Sequence, residues 1–177
     1  MKIDTIIVDN FLDYPDKVRQ CLMSTEFYET GKFPGKRSDA TEEDYQEMVR
    51  DKLLNILNFP VYFRMDRDCF RFQLCLDGDK TWVHKDDTQW AGVLYLTPDA
   101  PIDAGTVIFD DNENLVTMIG NVYNRLVIYR GDLYHRSLEP GFGDCLENGR
   151  LTQVFFLDEM IVPQNCIPKT KCERYGI

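Results

Sequence analysis

The order of patterns along this 177-residue chain predicts an α+β fold, with two helices followed by a sandwich or barrel of short strands. Three observations carry that prediction. Apolar residues at helical spacing are confined to the first 60 positions. Beyond residue 60 the apolar residues fall in short runs separated by Gly, Asp, Asn and Pro. No internal repeat or low-complexity stretch interrupts the chain, and its length suits one domain, 1–177. Within it, 1–60 reads as a strand and helices supporting a sheet, 61–158 as the β core, and 159–177 as a C-terminal tail.

The elements follow in order. Ile3 to Val8 is rich in β-branched residues and reads as a first strand. Asp13 is the expected N-cap of a first helix, with Pro15 in its first turn and Val18, Cys21 and Leu22 on one face. Gly31 to Ser38, with Gly, Pro and basic residues, reads as a loop. Thr41-Glu42-Glu43-Asp44 resembles a capping box opening a second helix. Tyr45, Met48, Val49, Leu53, Ile56 and Leu57 give that helix one buried face, and Asn58-Phe59-Pro60 ends it. Phe70, Phe72, Leu74 and Leu76 then alternate with Arg71, Gln73 and Cys75 as in a strand, and Asp77-Gly78-Asp79 is a turn. Strands are expected at 91–97, 106–109, 115–119, 126–130 and 151–157.

Composition narrows the function classes. Thirty acidic residues against 20 basic ones give a formal net charge of −10, which argues against general affinity for nucleic acid or anionic membranes. No apolar run approaches the ~18 residues of a membrane span. The six cysteines form no CxxC pair, and with no signal-like N-terminus they read as reduced thiols of a cytoplasmic protein, most simply buried as small apolar groups. A structural zinc site drawing on Cys166 and Cys172 is a weaker reading of the same residues.

The chemistry rests on two histidines, the only ones in the chain. His84 stands in Trp82-Val83-His84-Lys85-Asp86, and His135 closes the run that begins at Leu126. On a strand, positions i and i+2 share a face, so His84 and Asp86 can aim an imidazole and a carboxylate into one pocket. Asp87 would face away. His135 is the only histidine left to complete a three-ligand set. Two histidines and one carboxylate leave three metal positions open, as in non-haem Fe(II) oxygenases, whereas zinc prefers a more closed tetrahedral set. Taken alone, a His-x-Asp in so acidic a chain fits an ordinary satisfied histidine as well. Order adds weight, because Arg150-Leu151-Thr152 opens the next apolar run.

Together these residues resemble the 2-oxoglutarate- and Fe(II)-dependent dioxygenase superfamily, in the prolyl-hydroxylase-like branch that includes small phage and bacterial members. The family pattern is H-x-D, a strand ending in Tyr-Leu-Asn, a Gly-rich turn into a strand ending near Phe, a distal His, and Arg-x-Ser/Thr. Here it is matched by His84-Lys85-Asp86, Val93-Leu94-Tyr95-Leu96-Thr97, Ala104-Gly105 through Phe109, Asn124 through Tyr129, His135, and Arg150-Leu151-Thr152. The resemblance spans residues 70–157, and Val8-Asp9-Asn10-Phe11-Leu12 is similar to the opening of such proteins. Thr97 departs from the usual Asn, and Ala104-Gly105 from a Gly pair.

The resemblance implies a double-stranded β-helix, a distorted jelly roll, with two N-terminal helices packed on one sheet and the site between the sheets. It implies that His84, Asp86 and His135 bind Fe(II). Arg150 would hold the distal carboxylate of 2-oxoglutarate, with Thr152 and Tyr95 contributing there. It implies hydroxylation of a substrate C–H bond by O2, with conversion of 2-oxoglutarate to succinate and CO2 and ascorbate as a supporting reductant. The substrate class stays open between a peptide or protein and a small molecule, as does the oligomeric state. Two other readings stand beside it: a cupin-like metal-binding jelly roll that needs no 2-oxoglutarate, and a non-catalytic module of the same fold.

Neighbouring residues carry weaker expectations. Trp82 and Trp90 read as packing, Lys85 as reaching solvent, and Arg130 and Arg136 as surface charge or ion pairs. Gln73 and Arg71 share a face that looks either into the pocket mouth or into solvent. Gly31–Asp39, the most basic stretch, reads as a solvated loop in preference to a lid, and Glu139–Gly149 is expected to border the site entrance.

Overall fold

Two helices lie on one face of a large antiparallel sheet, and a three-stranded sheet covers the other face. The computed structural model describes residues 4–29, 31–57, 59–138 and 141–160. The strands are β1 (Thr5–Val8), β2 (Phe27–Glu29), β3 (Lys36–Ser38), β4 (Val61–Phe63), β5 (Phe72–Cys75) and β6 (Trp90–Tyr95). They continue with β7 (Thr106–Phe109), β8 (Leu115–Ile119), β9 (Leu126–Arg130), β10 (Tyr134–Ser137) and β11 (Arg150–Glu159). The helices are α1 (Pro15–Leu22) and α2 (Glu43–Leu57). The large sheet runs β1-β9-β6-β11-β5-β3-β2, with β4 also on β11, and the small sheet runs β10-β7-β8.

Alternation assigns the faces. Along β9, Leu126 and Ile128 pack toward the helices, while Val127 and Tyr129 face the small sheet. The helix-side core takes Leu22 from α1, Val49, Leu53 and Leu57 from α2, and Phe72, Leu94, Leu151, Phe155 and Leu157 from the sheet. A smaller cluster of Ala91, Tyr95, Val127 and Tyr129 meets Ile108 and Ile119 between the sheets. Strands buried on both faces read as near-continuous apolar runs, as β9 does, whereas β11 carries Arg150, Thr152 and Gln153 among its apolar residues. Gln153, wholly buried among the helix-side residues, is satisfied on both sides. Its Oε1 accepts the Tyr45 hydroxyl at 2.8 Å, and its Nε2 donates to the Phe70 carbonyl at 2.9 Å.

Several local expectations change. Tyr14, not Asp13, is the N-cap of α1, because Pro15 occupies the first helical turn; Asp13 pairs with Lys52 at 2.9 Å. The capping box at Thr41 does not close. α2 starts at Glu43, the Thr41 hydroxyl is buried without a partner, and the Gln46 side chain reaches back to the Thr41 carbonyl at 2.6 Å. Gly31–Ser38 is no solvated loop: it ends in β3, which with β2 forms a hairpin that pairs with β5. His135 belongs to a strand of its own, β10, in the small sheet, because the chain leaves β9 at Gly131 and changes sheets. Cys69 and Cys75 are buried as expected, but Cys21 and Cys145 are exposed. Cys166, Cys172 and the expected tail beyond Met160 lie outside the described residues. Among those residues no helix is long and apolar enough to cross a membrane.

The docking of α2 yields a paired prediction. Leu53 is fully buried beneath the helix, whereas its neighbour Leu54 is 38% exposed. Leu53→Ala is expected to cost about 2–5 kcal/mol, and Leu54→Ala well under about 1 kcal/mol. Urea unfolding with an unchanged m-value measures both.

Candidate metal and co-substrate site

A backbone bridge brings the two histidines together. The His84 N–H donates to the His135 carbonyl at 3.1 Å, and the His135 N–H returns a bond to the His84 carbonyl at 2.9 Å. Two residues on, the Asp86 N–H donates to the Gly131 carbonyl at 2.8 Å. This pairing holds 84–86 extended against β10, so His84 and Asp86 project to the same side. Asp87 turns away and pairs with Arg67. The imidazole centroids lie 4.4 Å apart. Asp86 stands 3.9 Å from His84 Nε2 and 3.3 Å from His135 Nε2. One ligand atom from each of the three lies within 4.8 Å of the others, and this is the only such cluster among the described residues.

The nitrogens facing away from the cluster are already committed. His84 Nδ1 bonds the Trp82 carbonyl at 3.0 Å, and His135 Nδ1 bonds the Leu133 carbonyl at 2.9 Å. A carbonyl can only accept, so both Nδ1 atoms carry the proton and both Nε2 atoms present lone pairs toward Asp86. Such outer bonds to ring nitrogens orient ligating histidines. Burial, and next the neighbouring His135, hold His84 below the usual imidazole range, which keeps its ring neutral as ligation requires. The donor set therefore fits a divalent metal with two imidazoles and one carboxylate.

A buried cation lies on the large sheet beside this cluster. Arg150, 4% exposed at the head of β11, lines the same cavity as the triad. Its Nε donates to the Ala104 carbonyl at 3.1 Å, and one terminal nitrogen lies 3.5 Å from the Gly105 carbonyl. Among the described residues no carboxylate pairs with it. Gly105 is required here, since a Cβ would collide with the Ile119 carbonyl and push that backbone off the guanidinium. Thr152 lines the cavity on the same strand face, though its hydroxyl sits 3.4 Å from the Gln73 carbonyl. Tyr95 lies behind Arg150, with its ring centroid 5.7 Å from the guanidinium carbon and its hydroxyl 2.6 Å from the Thr106 hydroxyl.

The cavity, about 260 Å³, has walls that sequence reasoning did not anticipate. Tyr129, its ring tilted at 59° and 4.7 Å from that of His135, and Thr106 both line it. So do Phe33, Pro34 and Arg37 of the stretch expected to be solvated. Arg37 is 9% exposed, and burial lowers its guanidinium from the ordinary range, opposed by Asp68. The one available signal was the clustering of three basic residues in an acidic chain. Trp82 is half-exposed at the cavity wall, while Trp90 is core. Gln73 faces the cavity; Arg71 instead pairs with Asp68 at 3.0 Å. Lys85 reaches out to Asp111, and Arg130 pairs with Asp132, but Arg136 lines the cavity. The described part of the 139–149 loop does not border it. That loop folds against β5 and its turn, with the Asp77 N–H on the Gly143 carbonyl at 2.9 Å.

The Tyr95–Thr106 bond makes a stability prediction. Thr106→Val strands the buried Tyr95 hydroxyl and is expected to cost about 1–3 kcal/mol. Adding Tyr95→Phe should recover much of that loss, which a urea double-mutant cycle reads as a non-additive pair.

No family model matches the chain, and no curated protein matches it in sequence. Solved structures do match in fold. HygX from Streptomyces hygroscopicus, solved with nickel, 2-oxoglutarate and hygromycin B, superposes with a TM-score of 0.67 at 10% identity, covering 89% of this chain and 84% of its own. A Trichoplax adhaerens prolyl hydroxylase, in complex with a hypoxia-inducible-factor degradation-domain peptide, gives 0.63 at 14%, covering 88% and 84%. A Pseudomonas putida prolyl-4-hydroxylase gives 0.59 at 16%, covering 89% and 93%. At such identities the likeness is one of fold. The chain thus has the double-stranded β-helix on which 2-oxoglutarate- and Fe(II)-dependent oxygenases are built, with a His-Asp-His triad standing between its sheets.

Proposed function

We propose that this protein is an Fe(II)- and 2-oxoglutarate-dependent oxygenase that hydroxylates a C–H bond. The observation that carries the reading is the convergence, in one cavity, of the His84–Asp86–His135 triad and a buried Arg150 that pairs with no carboxylate among the described residues. A buried guanidinium is costly unless it meets an anion. With its Nε tied to the Ala104 carbonyl, its remaining N–H groups can face a carboxylate bidentately.

The residues divide the work. His84 Nε2, His135 Nε2 and one Asp86 oxygen would hold iron, leaving positions for the keto-acid end of the co-substrate and for O2. Arg150, with Thr152 beside it, would hold the far carboxylate, fixing the length of the acid that fits. Tyr95 and Thr106 support the Arg150 end from behind. When bound, iron and 2-oxoglutarate supply the oxidation: one oxygen atom of O2 ends in the substrate hydroxyl, the other in succinate, with release of CO2. Tyr129, Val154 and Phe156 line the cavity and limit water there. The structures similar in fold include HygX solved with hygromycin B and a prolyl hydroxylase solved with a peptide, so the fold alone leaves the substrate open. The two-histidine inventory favours this reading over a cupin-like centre, which draws on more imidazoles.

Anaerobic titration tests it. Asp86→Asn should weaken Co(II) binding at least about tenfold, while Asp87→Asn leaves it within about twofold. Arg150→Gln should weaken 2-oxoglutarate binding about tenfold or more with metal affinity retained, since a hydrogen bond to a charged group contributes about 1.5–3 kcal/mol. In air, Fe(II)-loaded protein should convert 2-oxoglutarate to succinate. Absence of both metal-dependent 2-oxoglutarate binding and succinate would overturn the reading.

A further inference from the structure

The triad and Arg150 account for both ends of 2-oxoglutarate, and one buried cation of the cavity is left over. Sheet register places it. Tyr95 pairs with Thr152, Thr152 with Gln73, and Gln73 with Arg37, so these four side chains form one row across the cavity face of β6, β11, β5 and β3. Arg37 thus stands two strands from β11, roughly 10 Å along the sheet by the usual strand spacing. Its strand is seated by Gly35, whose backbone is left-handed (φ +67°) and whose Cβ would collide with the Leu74 carbonyl on β5.

The surroundings of Arg37 are built and incomplete. Its guanidinium carbon lies 3.7 Å from the centroid of the Phe33 ring. One terminal nitrogen is 3.3 Å from Asp68, but Asp68 is shared with Arg71 at 3.0 Å and is one-third exposed. The other terminal nitrogen is 3.4 Å from Gln73 Oε1, held in place because Gln73 Nε2 donates to the Pro34 carbonyl at 2.7 Å. The Nε–H is buried with no partner among the described residues. The other cations at the wall differ: Lys32 is exposed, Arg67 pairs with Asp87, and Arg136 donates to the Ser137 and Leu138 carbonyls at 3.0 and 2.8 Å.

We propose that the substrate carries an oxyanion, a carboxylate or a phosphate, held by the Arg37 guanidinium against the Phe33 ring. The proposal rests on the oxygenase reading for the word substrate, but the anion site stands on its own geometry. A planar guanidinium stacked on an aromatic ring and short of one partner suits a planar or tetrahedral oxyanion. In a chain of net charge −10 the rest of the surface repels anions, so recognition of one requires a local buried cation of this kind.

The test is an NMR titration of 15N-labelled protein loaded with Zn(II) and saturating 2-oxoglutarate. The Arg37 Nε–H signal is identified by its loss in R37K. Sodium acetate, inorganic phosphate and, as the neutral control, acetamide are added in turn. A saturable shift of that signal with an anion and none with acetamide is the expected result. Saturation at lower phosphate than acetate assigns a phosphate-bearing substrate, and the reverse a carboxylate. No saturable shift up to on the order of 100 mM of either anion, or an equal shift with acetamide, overturns the proposal. Repeating the titration in R150Q removes any contribution from an anion captured there. Calorimetry with 2-oxoglutarate on the same samples reports the oxygenase reading separately, because its failure leaves the Arg37 response measurable on the Zn(II)-loaded protein.

Discussion

Strand β11 pairs with β4, β5 and β6, and its ten-residue alternation decides what meets the helices and what meets the cavity. Leu151, Gln153, Phe155 and Leu157 take the helix side; Arg150, Thr152, Val154 and Phe156 take the other. A slip of one residue would exchange the sets, placing Arg150 in the apolar core and Phe155 in the cavity. Register is therefore enforced by the burial of three large apolar side chains, each contributing about 1.5–3 kcal/mol. The polar face inherits its accuracy from the apolar one. Gln153 adds directionality, since only this register lets its amide meet both the Tyr45 hydroxyl and the Phe70 carbonyl.

The triad depends on a different device, pairing across an irregular segment. Residues 82–87 form no regular strand, yet three backbone hydrogen bonds fix 84–86 against β10 and Gly131. Backbone carbonyls at Trp82 and Leu133 then hold both rings with Nε2 toward Asp86. The same i, i−2 relation recurs at each histidine, from its Nδ1 to the carbonyl two residues earlier. A ligand set oriented by its own backbone needs few outside side chains, consistent with a chain that has no histidine to spare.

Legibility in the sequence followed how local each determinant was. β7, β8 and β9 coincide with their apolar runs because Gly, Asn and Asp turns bound them on both sides. α2 was legible through Val49, Leu53 and Leu57 at helical spacing, though its capping box was not realised, because Gln46 supplied the contact to Thr41. The β2–β3 hairpin was illegible. Its strands are three residues long, and Lys36-Arg37-Ser38 has no apolar alternation; pairing with β2 and β5 makes it a strand. β10 was hidden for a like reason, since Tyr134-His135-Arg136-Ser137 owes its conformation to β7 and to the bridge with His84. At the site, the order of His84, Asp86, His135 and Arg150 was readable. The walls that Arg37, Thr106 and Tyr129 add were not, because they come from strands far apart in sequence whose register no local pattern encodes.

The placement of charge ties these levels together. Acidic residues exceed basic ones by ten over the whole chain, yet Lys32, Arg37, Arg67, Arg136 and Arg150 line one cavity against Asp86 and Asp87. Asp87 is matched by Arg67 and Asp68 partly by Arg37, and binding of a divalent metal would neutralise Asp86 and leave the cavity positive. An anion held at Arg150 would lower that excess. A buried cation such as Arg150, met here by backbone carbonyls, destabilises the folded chain until an anion reaches it. The cavity is therefore expected to stabilise the fold further as metal and anions fill it.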